Sequence, residues 1–281
     1  MSSTKVRLYK YEDVPEWQQD NHYILTGYVK ETNSFFKCYE SLFYIQNETV
    51  NIFTHLIPES LFPVIPASVI SIPKYSNTTI TDYLIFVLFF AGFSTCLSCS
   101  ATFHCVKCHS YKVASVGSQV DYVGIIALIV TSMVGIIHYS LIDDPKASLI
   151  FISMVLVLGF SCLYMTLNPE FKEPHWRPFR AAMFISFGIS SVFPILYGLK
   201  VYGVDQIFKR AGLVWVLGEA VGYISGAVLY AIRVPERFHP GRFDIYGNSH
   251  QIFHVLVVLS AFSHFKGLVE SYRYAHTDLM N

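Results

Sequence analysis

The chain alternates between long apolar stretches and short polar connections, a pattern typical of proteins that cross a membrane several times. Each apolar stretch is about 20 residues long, which at ~1.5 Å per residue spans a hydrocarbon core ~30 Å thick. No stretch alternates apolar and polar residues with period two, which disfavours a membrane barrel. The stretches are 51–72, 82–105, 119–141, 147–166, 179–199, 211–232 and 248–270. The pattern therefore predicts an all-α integral membrane protein with a bundle of seven transmembrane helices.

The same pattern divides the chain into an N-terminal segment (1–47), a seven-helix transmembrane domain (48–270) and an exterior C-terminal tail (271–281). The first twenty residues are polar and charged, so no cleaved signal peptide is expected. The first span is the least regular, and we expect its prolines to kink it. These are Pro58, Pro63 and Pro66.

Apolar side chains recur at helical spacing shortly before the first span. They are Phe35, Phe36, Tyr39, Leu42 and Phe43. This spacing predicts a short helix lying in the membrane interface, although an ordinary packed segment of the tail would show it equally well.

Composition and charge agree with a membrane protein and indicate its orientation. The chain is 53% hydrophobic and only 14% charged, whereas globular chains are about a quarter charged. Its formal net charge is zero, so nothing indicates a nucleic-acid partner. Thirteen of the twenty Lys and Arg residues fall on the side of the N-terminus, which predicts a cytosolic N-terminus. An Asn77-Thr78-Thr79 sequon in the first exterior loop agrees. We expect a multi-pass protein of the plasma membrane or endoplasmic reticulum.

Three histidines form the strongest candidate site. His250 and His254 are four residues apart on one predicted helix, the spacing by which a helix offers two nitrogens to zinc. His104 ends the second span, Asp121 opens the third and His250 opens the seventh, so the alternating direction of the spans places them at one depth on the cytosolic side. Three histidine ligands would leave a fourth position to water, as in catalytic zinc sites. Asp121 is expected to hold that water or orient a ligand, and Ser100, one turn before His104, to bond substrate or the water.

The sequence leaves alternatives open. The histidines could be unrelated polar groups at helix ends, bonded to backbone or headgroups. Cys105 to His109 matches the C-x-x-C-H pattern of haem attachment, which we interpret as chance, and alone is a weak zinc motif. Lys266 lies too near the exterior end of its span for a retinal Schiff base. Glu59 and Glu219 could line a cation path or pair with polar neighbours.

Three further histidines are placed away from the metal. His138 and His264 should lie too far along their helices to reach the site. His55 is a possible reserve ligand, although a structural hydrogen bond is favoured.

Several motifs resemble those of the progestin and adiponectin receptor family, which is grouped with the haemolysin III-like proteins. The resemblance covers about residues 13 to 270. The motifs are D-N-H-Y-I-L-T-G-Y from Asp20, N-E-T-V-N-I-F-T-H-L from Asn47, S-x-x-x-H from Ser100, D-Y from Asp121, P-E-R-F-H-P-G-R-F-D from Pro235 and S-H-Q-I-F-H from Ser249. One departure is Gln46, where the family often has histidine; this change could alter a headgroup contact but removes no ligand.

This resemblance implies a seven-helix fold with a cytosolic N-terminus, and zinc held near the inner leaflet by the three histidines with the aspartate contacting zinc-bound water. Animal members respond to adiponectin or progestins, and the adiponectin branch is linked to ceramidase activity. Fungal members are tied to zinc, sterol and lipid homeostasis, and a plant osmotin-like protein has been proposed as ligand. The short N-terminal segment indicates a compact fungal- or plant-type member.

Three functions remain in competition. The first is a zinc-dependent lipid amidase acting on ceramide, with Asp121 as general base and Ser100 positioning the carbonyl. The second is a receptor with a purely structural zinc, which senses a sterol-like lipid or an extracellular protein or steroid ligand. The third is a zinc or proton-coupled transporter that uses Glu219 and Glu59.

Overall fold

In a computed structural model, residues 7–61, 72–172 and 176–280 of the chain are described, and their regular structure is helical. The α-helices are α1 (Phe35–Glu40), α2 (Thr49–Leu61), α3 (Ile80–Val106), α4 (Tyr111–Ser140), α5 (Pro145–Leu167), α6 (Arg177–Ile189), α7 (Val192–Tyr202), α8 (Val204–Arg210), α9 (Leu213–Ile232) and α10 (Ser249–Tyr274). Short 3₁₀ turns cover Tyr11–Asp13, Glu16–Gln18, Ser41–Phe43 and Pro169–Lys172, and a π-helical turn covers Ala275–Leu279. Among the described residues, the only extended pairing is a single antiparallel bridge between Tyr9 and Tyr28.

The described residues contain six helical segments long and apolar enough to cross a membrane. They are Ile80–Val106, Tyr111–Ser140, Pro145–Leu167, Ala182–Tyr202, Leu213–Ile232 and Ser249–Leu279. Only 11% of the most apolar stretch of the helix Leu213–Ile232 is buried inside the protein. Most of the apolar surface of this helix therefore requires an apolar environment outside the protein. The chain is therefore a multi-pass membrane protein. The remaining expected span, the first (51–72), begins within α2, but its second half, including Pro63 and Pro66, lies outside the described residues.

The fifth predicted span is interrupted where the sequence pattern indicated one continuous helix. The interruption falls at Ser190 and Ser191, between α6 and α7. Pro194 explains it, because proline cannot donate a backbone hydrogen bond to the carbonyl four residues earlier and its ring collides with that carbonyl. The residue four positions earlier is Ser190.

A short helix does form before the first span. α1 and the 3₁₀ turn that follows it bury Cys38 completely, while 77% of Phe36 and 88% of Phe43 are exposed. The segment thus has a packed face and an apolar exposed face. Its location in the membrane interface stays a prediction.

The contacts divide the chain into two compact units. Unit 1 comprises Met1–Leu61, Leu97–Asp121 and Val221–Leu259, and unit 2 comprises Phe62–Cys96, Tyr122–Ala220 and Ser260–Asn281. Several long helices contribute residues to both units, and all three histidines of the candidate site belong to unit 1.

Unit 2 has an apolar core contributed by α4, α5 and α6 and the connection after α4. Its buried members are Ile126, Met133, Ile137, Leu141, Ala147, Val155, Cys162 and Phe187. Elsewhere in this unit α3 and α4 approach closely at Gly92, where an added Cβ atom would lie 2.0 Å from Thr131 Oγ1. Such close approach through small residues is typical of helix packing in membranes.

A network of polar side chains in unit 2 links the start of α3 to the end of α4 and to the turn after α10. The Asp82 carboxylate accepts a hydrogen bond from the Tyr139 hydroxyl at 3.0 Å, and lies 3.0 Å from His276 Nε2. Asn77 donates its side-chain amide to the His276 carbonyl at 3.2 Å. The nitrogen that a glycan would occupy at the sequon is therefore bonded within the protein.

Candidate metal centre

The three predicted histidines lie together in unit 1. His104 is in the last turn of α3, and His250 and His254 are in the first two turns of α10. One ligand atom from each lies within 4.8 Å of the others. His104 and His254 are each 2% exposed and His250 is half-buried. The i, i+4 spacing therefore does place two imidazoles on one helix face, next to the third.

Glu48, to which the sequence interpretation assigned no role, holds His104 in place. Its Oε2 atom lies 2.8 Å from His104 Nδ1 and accepts a 2.6 Å hydrogen bond from the Asn51 amide, while Oε1 accepts a 2.9 Å bond from Lys107 Nζ. Burial alone would raise the pKa of Glu48, but the Lys107 ammonium and the His104 ring hold that pKa well below its ordinary value. With the Lys107 ammonium 2.9 Å from Oε1, Glu48 is a carboxylate, which can only accept, so His104 Nδ1 carries the ring hydrogen and donates a hydrogen bond to it.

This arrangement leaves the other ring nitrogen of His104 available. His104 Nε2 is buried and has no hydrogen-bond partner in the part of the chain that the structure describes. A buried nitrogen without a partner costs free energy, roughly 1–3 kcal/mol. A carboxylate on one nitrogen of a histidine and a metal on the other is the usual arrangement around metal-binding histidines. The orphaned nitrogen thus fits a metal ligand.

His254 has the same tautomer as His104, with the hydrogen on Nδ1. Its Nδ1 lies 3.0 Å from the Asn51 carbonyl oxygen, which can only accept, so Nδ1 carries the proton and Nε2 carries the lone pair. His250 has Tyr230 beside it, with 4.9 Å between the ring centroids. Three nitrogen donors with one lone pair each, two of them oriented by neighbours, are the ligand type that Zn²⁺ prefers.

Asp121 and Ser100 lie next to this cluster but outside it. Asp121 does not belong to the group whose ligand atoms lie within 4.8 Å of one another. Its carboxyl group is hydrogen-bonded to the Ser100 hydroxyl, and Ser100 is 2% exposed. A carboxylate and a hydroxyl beside three histidines, but not among them, can accept and donate protons to a bound molecule.

Glu236 positions the start of α10, another contribution not recognised from the sequence. This carboxylate is fully buried; it accepts a 2.8 Å hydrogen bond from the Ser249 backbone N–H and a further bond from the Ser249 hydroxyl. It also accepts a 3.1 Å bond from Asn21. A carboxylate at a helix N-terminus accepts hydrogen bonds from the free N–H groups and interacts favourably with the positive end of the helix dipole. Glu236 thus anchors the helix end that carries His250.

Asp244 binds the N-terminal segment to the connection between α9 and α10, which also contains Glu236. Its two oxygens accept hydrogen bonds from the Leu25 backbone N–H at 2.8 Å and the Thr26 hydroxyl at 2.6 Å. Glu48, Glu236 and Asp244 all fall within the sequence motifs quoted above, and this was the signal that could have identified them.

His55 is buried and stacks on His254 with 3.9 Å between ring centroids. Its structural hydrogen bond stays a prediction. The expectation for Gln46 was wrong. Gln46 is 2% exposed and accepts a 3.0 Å bond from the Glu48 backbone N–H, so it is packed inside the protein and not available to a headgroup.

The remaining candidates lie elsewhere. Glu219 Oε2 pairs with His264 Nδ1 at 2.8 Å in unit 2. Cys105 and Cys108 are free thiols, and Lys266 is exposed. Glu59 lies in α2 and is half-buried.

The residues of the candidate metal centre lie within a region that is similar to known proteins. A family profile described as Haemolysin-III related matches residues 43–265. The chain is 45% identical over 276 residues to the ADIPOR-like receptor IZH2 of Saccharomyces cerevisiae, which covers 98% of this chain and 87% of that protein. It is 39% identical over 264 residues to the Adiponectin receptor protein of Drosophila melanogaster (94% of this chain, 59% of that protein) and 32% identical over 301 residues to Heptahelical transmembrane protein 3 of Arabidopsis thaliana (92% and 85%). The matched range contains the three histidines, Glu48 and Asp121.

Proposed function

The chain belongs to the haemolysin-III related family, and on that premise we propose that it is a receptor-type membrane protein that holds one zinc ion through His104, His250 and His254. We further propose that it hydrolyses the amide bond of a membrane lipid of the ceramide class. A role in lipid and zinc homeostasis would follow from this activity. Two relatives are named as receptors of the adiponectin type, which agrees with a protein that senses a ligand at the membrane.

The observation that carries the metal proposal is the grouping of three imidazoles whose ligand atoms lie within 4.8 Å of one another. Within this group Glu48 occupies Nδ1 of His104, and its buried Nε2 atom has no partner among the described residues. His264 also has a carboxylate on Nδ1 and a buried Nε2 atom without a partner there, but it does not belong to such a group. Nitrogen donors without sulfur or extra carboxylates also favour zinc over calcium or magnesium.

A bound zinc ion would supply Lewis acidity, which polarises an amide carbonyl and makes water a better nucleophile at neutral pH. The protein would supply the rest. Asp121 would accept the proton of the attacking water on a carboxylate oxygen, and the Ser100 hydroxyl would turn from Asp121 to donate a hydrogen bond to the carbonyl oxygen. Burial of Ser100 and His104 limits competing water.

Metal analysis of the purified protein tests the first half of the proposal. We expect about one zinc per chain in the wild type and a loss of most of it in His250→Ala. His264→Ala is the matched control, because His264 is buried on the same helix and its Nδ1 pairs with a carboxylate. Equal zinc in all three proteins would refute the assigned ligands.

A ceramide hydrolysis assay tests the second half. We expect fatty acid release by the wild type and at least a 100-fold loss in Asp121→Asn, which keeps the size of the side chain but removes the base. Zinc content should be unchanged in this variant. Stoichiometric zinc without fatty acid release would exclude the amidase and leave a structural zinc in a ligand-sensing receptor. Loss of metal transport in Glu219→Gln but not in His254→Ala would instead favour the transporter.

The cytosolic N-terminus is part of the same proposal. It is supported by the excess of Lys and Arg on that side of the predicted spans. A protease-accessible N-terminal tag in sealed inside-out vesicles, but not in right-side-out vesicles, is the expected result. The reverse pattern would place the histidines at the opposite face.

A further inference from the structure

Two buried cysteines meet where the N-terminal segment packs against the end of α3. Cys38 of α1 is completely buried, and Cys108, which follows α3, is 8% exposed. Their sulfur atoms are 3.4 Å apart. The pair lies in unit 1, and Cys108 is four residues beyond His104. Neither thiol takes part in the proposed hydrolysis.

The backbone around the pair holds the two sulfurs close. The N–H groups of Thr32 and Asn33 donate hydrogen bonds to the carbonyl oxygens of Cys108 and His109, at 2.9 and 2.8 Å. The ring of Phe35 packs on His109 with 4.2 Å between centroids. These contacts dock the two segments against each other next to the thiols.

We propose that Cys38 and Cys108 form a site of reversible oxidation, at which a peroxide converts the two thiols to an intramolecular disulfide. The Cys38 sulfur, which accepts the hydrogen bond from Cys108, attacks one peroxide oxygen as the thiolate; the O–O bond breaks and, after proton uptake, the products are a sulfenic acid and water. Cys108 then loses its proton and attacks the sulfenic sulfur, the S–O bond breaks and a second water leaves. In total two thiols lose two hydrogens and one hydrogen peroxide becomes two waters.

The distance is compatible with this reaction. A disulfide requires about 2.05 Å between sulfurs, so the pair needs to close by little more than 1 Å. The docked backbone leaves this movement to the side chains. Cys105, the third thiol nearby, lies with its sulfur 3.7 Å from the Cys38 carbonyl oxygen and points at backbone. It is therefore not the expected partner.

Reactivity and access support the same pair. The hydrogen bond from Cys108 lowers the pKa of Cys38 to about 7 despite burial, so a large fraction is thiolate at neutral pH. A cavity of about 20 Å³ is lined by Cys108 and Lys107, and also by Glu48 and His104 of the candidate metal centre. This exceeds the ~10–15 Å³ that one water needs, so a water-sized molecule fits beside Cys108, whose sulfur lies 3.4 Å from that of Cys38.

The test is a disulfide map of the purified full-length protein. The wild type is treated with hydrogen peroxide, blocked with N-ethylmaleimide, digested and analysed by mass spectrometry. We expect one linked peptide pair containing Cys38 and Cys108, which disappears on treatment with dithiothreitol. Cys105→Ser and Cys162→Ser, each of which removes another buried thiol, should keep the link, and Cys108→Ser should abolish it.

Three outcomes would overturn the proposal. They are alkylation of both thiols after peroxide, oxidation of either to sulfinic acid without a link, and a link from Cys38 to Cys105. Each can be read from the wild type alone, so a variant that fails to fold does not affect the conclusion.

Discussion

Replacement of Glu48 by glutamine keeps the size of the side chain but removes the charge that fixes His104. The carboxylate can only accept a hydrogen bond from His104 Nδ1, whereas the glutamine amide can also donate one. The ring can then adopt the other tautomer, in which Nε2 carries hydrogen and cannot bind a metal. The variant also leaves the ammonium of Lys107 without its counter-ion.

The expected size of the effect follows from these two contacts. Loss of a carboxylate that orients a metal-binding histidine typically weakens metal affinity about 10–100-fold, which corresponds to ~1.4–2.8 kcal/mol. The side chains of Glu48 and Lys107 are 16% and 22% exposed, so the pair is only partly desolvated. We therefore expect a loss of folding stability of about 1.5–3 kcal/mol, below the cost of breaking a fully buried pair.

The assay is a zinc titration against a chelating competitor, with thermal unfolding recorded in parallel. Glu219→Gln is the matched control, because Glu219 makes the same 2.8 Å contact to a histidine Nδ1 in unit 2. We expect Glu219→Gln to lower the melting temperature without changing the dissociation constant for zinc. If Glu48→Gln bound zinc as tightly as the wild type, Glu48 would not orient a ligand and the interpretation of His104 would be refuted.

Three further predictions concern the support of the site and the fold. Glu236→Ala should reduce stability by about 1–3 kcal/mol and reduce zinc content, because Ser249 and the start of α10 lose their acceptor; Glu236→Gln should recover part of both, and unchanged zinc in the alanine variant would contradict the anchoring. Gly92→Val should cost about 1–3 kcal/mol in thermal unfolding, because its side chain collides with Thr131; equal stability would show that α3 and α4 separate easily. Removal of zinc with a chelator should lower the melting temperature of the wild type and leave that of His254→Ala unchanged, whereas equal shifts would indicate binding elsewhere.

The long helices were predictable because their signal is local. α3 was predicted as 82–105 and spans Ile80–Val106, since a continuous apolar run in a membrane has few other ways to satisfy its backbone. The interruption at Ser190 was missed because the apolar run continues through it, and only Pro194 marks it.

The histidines of the site were found from spacing and the alternation of spans, both of which are readable from sequence. The groups that orient them were not. Glu48 and His104 are 56 residues apart, and no periodicity relates a residue before one helix to the end of another. Glu236 was missed for a similar reason: its function depends on the fold of the loop before α10.

The most direct test of the central claim is X-ray absorption at the zinc edge of the purified protein, since it identifies the ligand atoms. Three histidines predict nitrogen or oxygen neighbours at ~2.0–2.1 Å, with imidazole outer-shell scattering and no sulfur. His254→Ala should weaken the imidazole features. A sulfur shell at ~2.3 Å would place the metal on cysteines instead, and would contradict the assignment of His104, His250 and His254 as the zinc ligands.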